Sequence, residues 1–241
     1  MTETNTTIGV TAPVTETKTK KPRSPINQAH VRSLAVAETV GLAAQREEHA
    51  GLLDTREISQ EFVTGYLGRV AAARNKASEV LQHRTASKEA TQAHQQAERA
   101  LLAGLREIQK AAKQKYLRRN PLALADYLVG DALNGNQPNL AQTSQTIITR
   151  LATDTLPGIT AAKETAVGTL RQTWLDRQAA QDTASSDAED AAAEFKALLK
   201  TITDEKLAIQ LAADAEWPHD QHDHSGLRKE FALPANRPAI V

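Results

Sequence analysis

One dense cluster of side chains in this sequence could ligate a metal: "HDQHDHS", with His219, Asp220, His222, Asp223 and His224. Imidazole nitrogen and carboxylate oxygen suit zinc, iron or nickel. The cluster follows Pro218 in a polar stretch, where the rigid supporting shell of a metal site is hard to build. The competing reading is a solvated hinge. A second constellation, Glu79, His83, His94 and Glu98, has spacings of 4, 11 and 4 residues. On a helix all four share one face, with Asp182, Asp187 or Asp190 placed to oppose them. Helical di-iron proteins combine carboxylate and imidazole through Glu-x-x-His pairs. Here Glu79 and His83 are four apart, not three, and the competing reading is a pair of polar residues, His83 and His94, that fix helix register.

The most basic run is "KAAKQKYLRR", with Lys110, Lys113, Lys115, Arg118 and Arg119. Cations beside a tyrosine could grip the phosphates of a nucleic acid. They also suit a helix C-terminus, where the macrodipole favours positive charge. No phosphate loop, nucleophile elbow or dinucleotide fingerprint is present, and no spacing of Ser, His and Asp singles out a triad. Neither an enzyme nor a cofactor is expected. In the tail "LRKEFALPANRPAIV" the apolar residues Phe231, Leu233 and Ile240 read as anchors, docked in a groove of this chain or of a neighbouring copy.

Helices must position all of these residues. Ala, Gln, Glu, Lys, Arg and Leu dominate, the composition of long helices. Aromatics are only 3% of 241 residues, so a thick core is not expected. Lys plus Arg balance Asp plus Glu at 29 each, which leaves no net field drawing the chain to nucleic acid or membrane. The absence of Cys excludes disulfides and thiolate metal sites. The first residues lack the layout of a signal peptide, and no apolar run approaches the roughly 18 residues that span a bilayer. The expectation is a cytoplasmic protein with no membrane partner.

Residues 1–23 are rich in Thr, Lys and Pro and read as a flexible arm, in which "TTIGVTAPV" could add a strand to a partner. Ser24-Pro25 predicts a helix start, and Gly51 its end. Asp54 and Glu57 resemble a capping box that opens a second helix. It would run to Asn120-Pro121, about 64 residues and near 95 Å. Residues 121–138 predict a short helix and a turn. Leu140, Ile147, Ile148 and Leu151 mark a third helix, closed by "LPG" at 156–158. A fourth runs from about 160 to Trp217, and the tail beyond Pro218 reads as extended.

The chain also repeats itself. "IQKAAKQKY" at 108–116 resembles "IQLAADAEW" at 209–217, "RTAS" at 84–87 matches "DTAS" at 182–185, and "ALL" recurs at 100–102 and 197–199. These matches divide the chain into an arm (1–23), two helical repeats (24–120 and 121–217) and a tail (218–241). Two long helices joined by a short connector must lie antiparallel, here about a pseudo-twofold axis. Setting the two TAS segments opposite each other pairs residue 56 with about 215 and residue 116 with about 155. The predicted seam is Ala73, Val80, His83, Ser87, Ala90, His94, Ala97, Leu101, Leu105, Ile108 and Ala112 on one helix. On the other it is Leu170, Trp174, Gln181, Ala184, Ala188, Phe195, Ile202, Ile209 and Ala213. Residues 68–119 carry twelve Lys/Arg and four Glu, and residues 176–216 carry four Lys/Arg and ten Asp/Glu. The halves are electrostatic opposites.

The fold expected is therefore all-α: an elongated helical bundle, or antiparallel coiled-coil hairpin of two long helices with shorter helices at its ends, an internal pseudo-twofold duplication and extended N- and C-terminal tails. The function expected is a non-enzymatic structural or scaffolding protein that self-associates through helix faces and tails, with itself as partner. The alternatives are a peripheral nucleic-acid-binding protein using residues 110–119 and a metal-binding helical bundle.

Overall fold

The computed structural model describes residues 28–234 apart from 132, 134 and 135, and it does not extend to the side chain of His222. The arm, the Ser24-Pro25 start and Ile240 lie outside the described residues. The order is α1 (Gln28–Gln45), α2 (Glu47–Asp54), α3 (Gln60–Tyr116), a 3₁₀ helix (Pro121–Tyr127), α4 (Gln137–Leu151), α5 (Ala161–Glu216), a 3₁₀ turn (His222–His224) and α6 (Ser225–Glu230). No strand occurs among the described residues.

The α3 helix has 57 residues and α5 has 56, each roughly 85 Å long at 1.5 Å per residue. They pack along each other, and both run unbroken through the TAS segments. Their register follows the two repeated segments: Ser87 Oγ lies 3.4 Å from Ser185 Oγ, Arg56 reaches Glu216 at 3.4 Å, and the Tyr116 hydroxyl donates to Asp154 at 2.5 Å. Ion pairs between the helices run mostly in one sense, from α3 cations to α5 carboxylates. Arg69 meets Glu205 at 2.6 Å and Lys76 meets Glu194 at 2.6 Å. Only Lys163 with Glu107, at 2.5 Å, runs the other way among the α3–α5 pairs of the described residues.

Size sorts the seam. Large residues gather at the two ends, where other helices widen the space, and form two separate cores. One joins α1, α2, the start of α3 and the end of α5 through Leu34, Val40, Leu53, Val63, Tyr66, Ile202, Ile209, Trp217 and Phe231. The other joins the end of α3, Tyr127, α4 and the start of α5 through Leu101, Leu105, Ile108, Leu140, Ile147 and Trp174. Between them His83, Ser87, Ala90, Ala184 and Ala188 are half-buried, and only two helices are present. His94 is the exception, buried and stacked on Trp174 with ring centroids 6.1 Å apart. At the first end Gly41 admits α3, since a Cβ there would lie 2.6 Å from Leu67 Cδ2.

Two boundaries differ from expectation. Gly51 does not stop a helix; the break is at Arg46, whose backbone is extended, and α2 runs past Gly51. Asp54 and Glu57 do not open α3. They close α2: Glu57 takes a left-handed φ of 67°, while its N–H donates to Asp54 and that of Ile58 donates to Leu53. That is a Schellman closure, sealed by the apolar pair Leu53 and Ile58. The true N-cap of α3 is Ser59, whose hydroxyl accepts from the Phe62 N–H at 3.2 Å. The tail beyond Pro218 also differs from the expected extended form: residues 222–230 are helical and fold back onto the bundle.

Leu101 is fully buried on the α3–α5 seam. Leu101→Asp places a charge in an apolar core at a cost of several kcal/mol. The expected result is a lower thermal midpoint by circular dichroism at 222 nm, and an unchanged midpoint would show the seam to be misplaced.

Candidate functional site

Both ends of the rod carry the same clamp. At one end Gln109 Nε2 donates to the carbonyls of Tyr127 (3.1 Å) and Leu128 (2.8 Å). At the other Gln210 Nε2 donates to Phe231 (2.9 Å) and Ala232 (3.4 Å). Each glutamine belongs to the repeated "IQ" segment, and each grips a chain that has just turned back. Leu128 and Ala232 both have φ of 52°, a strained conformation for residues bearing a Cβ. Both turns carry Schellman hydrogen bonds, Val129 to Leu124 and Leu233 to Arg228. An aromatic pair stacks under each turn: Tyr116 on Tyr127 at 6.3 Å, and Trp217 on Phe231 at 5.1 Å. Both turned-back segments are therefore structural elements of this chain. Phe231 is fully buried against its own bundle, and Leu233 packs half-buried on the same core.

Polar groups lock the two clamps differently. Beside Tyr116 and Tyr127, Asp154 accepts from both hydroxyls, at 2.5 and 2.6 Å, and from Lys115 Nζ. Burial pushes its carboxyl up, but these three bonds outweigh burial and hold its pKa at about 2. Burial and the bond to Asp154 in turn raise the Tyr127 phenol. At the opposite end Arg228 is buried, donates to the Trp217 carbonyl at 2.5 Å and pairs with Asp214 at 2.5 Å. Nearby, Glu48, His49 and Glu230 bring their ligand atoms within 4.8 Å of one another. His49 Nε2 lies 3.2 Å from Glu230, and its buried ring meets Trp217 and Phe231 edge-on. The Arg46 guanidinium, 2.8 Å from the same Glu230 oxygen, already supplies the cation.

The residues singled out for metal binding lie elsewhere. His219, Asp220 and Asp223 are exposed, and His224 is half-buried. The described ligand atoms that converge are those of Glu48, His49 and Glu230, not those of this cluster or of Glu79, His83, His94 and Glu98. Glu79 instead pairs with Lys76 at 2.9 Å. Sequence reasoning missed His49, which sits alone between "EE" and Ala50 and gains its second and nearer carboxylate, Glu230, only when that residue folds back.

The basic run divides. Lys115 is held by Asp154 and the Thr155 carbonyl. Lys110, Lys113, Arg118 and Arg119 are exposed and make no ion pair among the described residues. Three further cations extend the run. Lys88, Arg99, Arg106, Lys110 and Lys113 are all exposed, at intervals of eleven, seven, four and three residues, with Gln92 and Gln95 filling the gap. At 100° per residue they form one stripe opposite the seam, with no carboxylate along it from 88 to 113. The matching edge of α5, also opposite its seam, carries Asp176, Asp190 and Asp204. Ala179, Thr183, Ser186, Ala193 and Ala197 lie between them, and exposed Asp182, Asp187 and Glu189 flank them. Lys200 is one exposed cation beside this edge. No described helix is long and apolar enough to cross a membrane.

Comparison with protein-family models, with curated proteins and with solved structures finds no match to this chain.

The Asp154 pKa lies below an ordinary carboxyl value near 3.9. Its contribution to stability is therefore complete above about pH 4 and is lost as pH falls toward 2. Asp154→Asn is expected to lower the melting temperature at pH 7, at a cost of about 2 kcal/mol for bonds to a charged group. It should also flatten the acid limb of stability against pH, and an unchanged acid limb would remove Asp154 from this role. At the other end Phe231→Ala, or deletion of 231–241, should lower the melting temperature, the former by about 3 kcal/mol of stability. Calorimetry reads this directly, and wild-type stability would show the fold-back to be dispensable.

Proposed function

We propose that the protein is a non-enzymatic scaffold that associates with copies of itself along the edges of its rod. The observation that carries this reading is the charge of the two long exposed edges, basic on α3 and acidic on α5. The chain is neutral overall, with 29 residues of each sign, so these opposed edges attract in a second copy without net repulsion. Each exposed pair contributes only tenths of a kcal/mol, and association rests on several acting together.

We infer also that residues 24–120 and 121–217 are an internal duplication. The shared Gln clamp, left-handed closure and stacked aromatic pair after each long helix support it. A duplicated unit whose copies have diverged to opposite charge pairs correctly within one chain and leaves complementary surfaces facing outward.

Light scattering coupled to size-exclusion chromatography tests the scaffold reading. The mass should rise above 26.1 kDa with concentration and fall with added salt. A monomer under all conditions overturns it. The second reading, a peripheral nucleic-acid-binding protein, is favoured by exposed Lys110, Lys113, Arg118 and Arg119. It expects salt-dependent retention of duplex DNA that is lost when those four become Glu.

A further inference from the structure

Resting on the scaffold reading, we propose that association is directional. The Lys88–Lys113 edge of α3 in one copy packs against the Asp176–Asp204 edge of α5 in the next, and the contact is not returned by the same pair of copies.

Each edge lies opposite the seam of its own helix, so the two edges face away from each other across the two-helix rod. One neighbour cannot cover both. When a second copy lays its acidic edge on the first copy's basic edge, the outer edges of the pair remain one acidic and one basic. A contact of this kind is heterologous and leaves each end of the assembly ready to add a further copy.

The surfaces suit each other in chemistry and size. The basic edge spans 25 residue steps, roughly 38 Å, and the acidic edge 28 steps, roughly 42 Å. The basic edge has long side chains. The acidic edge has short Asp set among Ala, Thr and Ser, over which the stems of Arg and Lys can lie while their heads reach the carboxylates. The cations of this edge hold no ion pair among the described residues and so are free of the described carboxylates. Parallel copies also alternate α3 and α5 across the assembly, so each helix has antiparallel neighbours and opposed dipoles. Ser87 faces Ser185 within a copy, which places the two edges at different heights. Matching their centres staggers parallel neighbours by roughly 28 Å along the rod.

Two charge-reversed variants of the full chain test this. The first carries Arg99→Glu, Arg106→Glu and Lys110→Glu. The second carries Asp176→Lys, Asp190→Lys and Asp204→Lys. All six sites are exposed, and unchanged circular dichroism checks that each variant folds. Scattering mass is then read for each alone, for the equimolar mixture and for wild type doped with the first variant. The proposal expects the wild type to grow past a dimer. Each variant alone should stay near 26.1 kDa, and the mixture should recover growth. A one-tenth dose of the first variant should shorten wild-type assemblies, because it can join by its acidic edge but offers no basic edge for the next copy. Wild type that stops at a closed dimer, or variants that assemble as wild type does, would overturn the directional contact and leave self-association standing. Wild type that is monomeric throughout would overturn both. If that monomer retained DNA and the first variant did not, the stripe would instead be a phosphate-binding edge.

Discussion

The antiparallel register of α3 against α5 is the constraint on which the rest depends. Once Ser87 faces Ser185, Arg56 must fall beside Glu216 and Tyr116 beside Asp154, some 45 Å away in either direction. A slip of one helical turn would break all of these contacts together and drive large seam residues against the small ones of the middle. The small residues let the helices approach, and the large ones mark where other helices must join. One linear pattern thus sets pairing, direction and the place of both cores. The ion pairs add selectivity more than strength. Glu194, Lys76, Arg69 and Glu205 are at least partly solvated, and pairs of that kind contribute little energy individually.

The two ends solve one problem with different polar chemistry. A long helix must stop, reverse and cover its own last turns. Both ends use a glutamine from the helix to satisfy carbonyls exposed by a left-handed residue, with an aromatic pair beneath it. Thereafter they diverge. One end gathers three donors on the single carboxylate of Asp154, and the other threads the buried Arg228 through the turn to Asp214 and Trp217. In each case a buried charge is tolerable because its partners lie at hydrogen-bond distance. Beside them, the Arg46 guanidinium lies 2.8 Å from Glu230 and 3.7 Å from Glu48.

Periodicity made the large features legible. The seam residues from Ala73 to Ala112 and from Leu170 to Ala213 are buried or half-buried as their three-four spacing predicts, and the repeated TAS segments give the register. Local chemistry was harder to read. Asp54 and Glu57 have the spacing of a capping box but end a helix, because a non-glycine residue in the left-handed region leaves no mark in sequence. In the tail, prolines and polar residues predict an extended chain and hide a six-residue helix, whose closing turn is held by Gln210 through the Phe231 carbonyl. The clamp does leave a signal, the repeated Ile-Gln followed by an aromatic residue, but the work of its glutamine appears only when the following segment folds back. In sequence Lys115 belongs to the basic run, and only the tertiary position of Asp154 separates it from Lys113.

The thin middle of the rod has a mechanical consequence. Between Val80 and His94 the cross-section is two helices side by side, while each end is a multi-helix core. Two cylinders in contact resist bending in the plane that contains both axes, because one must stretch as the other shortens. They resist bending across that plane only by their individual stiffness. The ends therefore act as rigid grips, and the middle as a leaf spring with a single soft direction. A helix bent in this way lengthens hydrogen bonds on its outer side without breaking them, so the molecule can flex about one axis while its cores and its register stay intact.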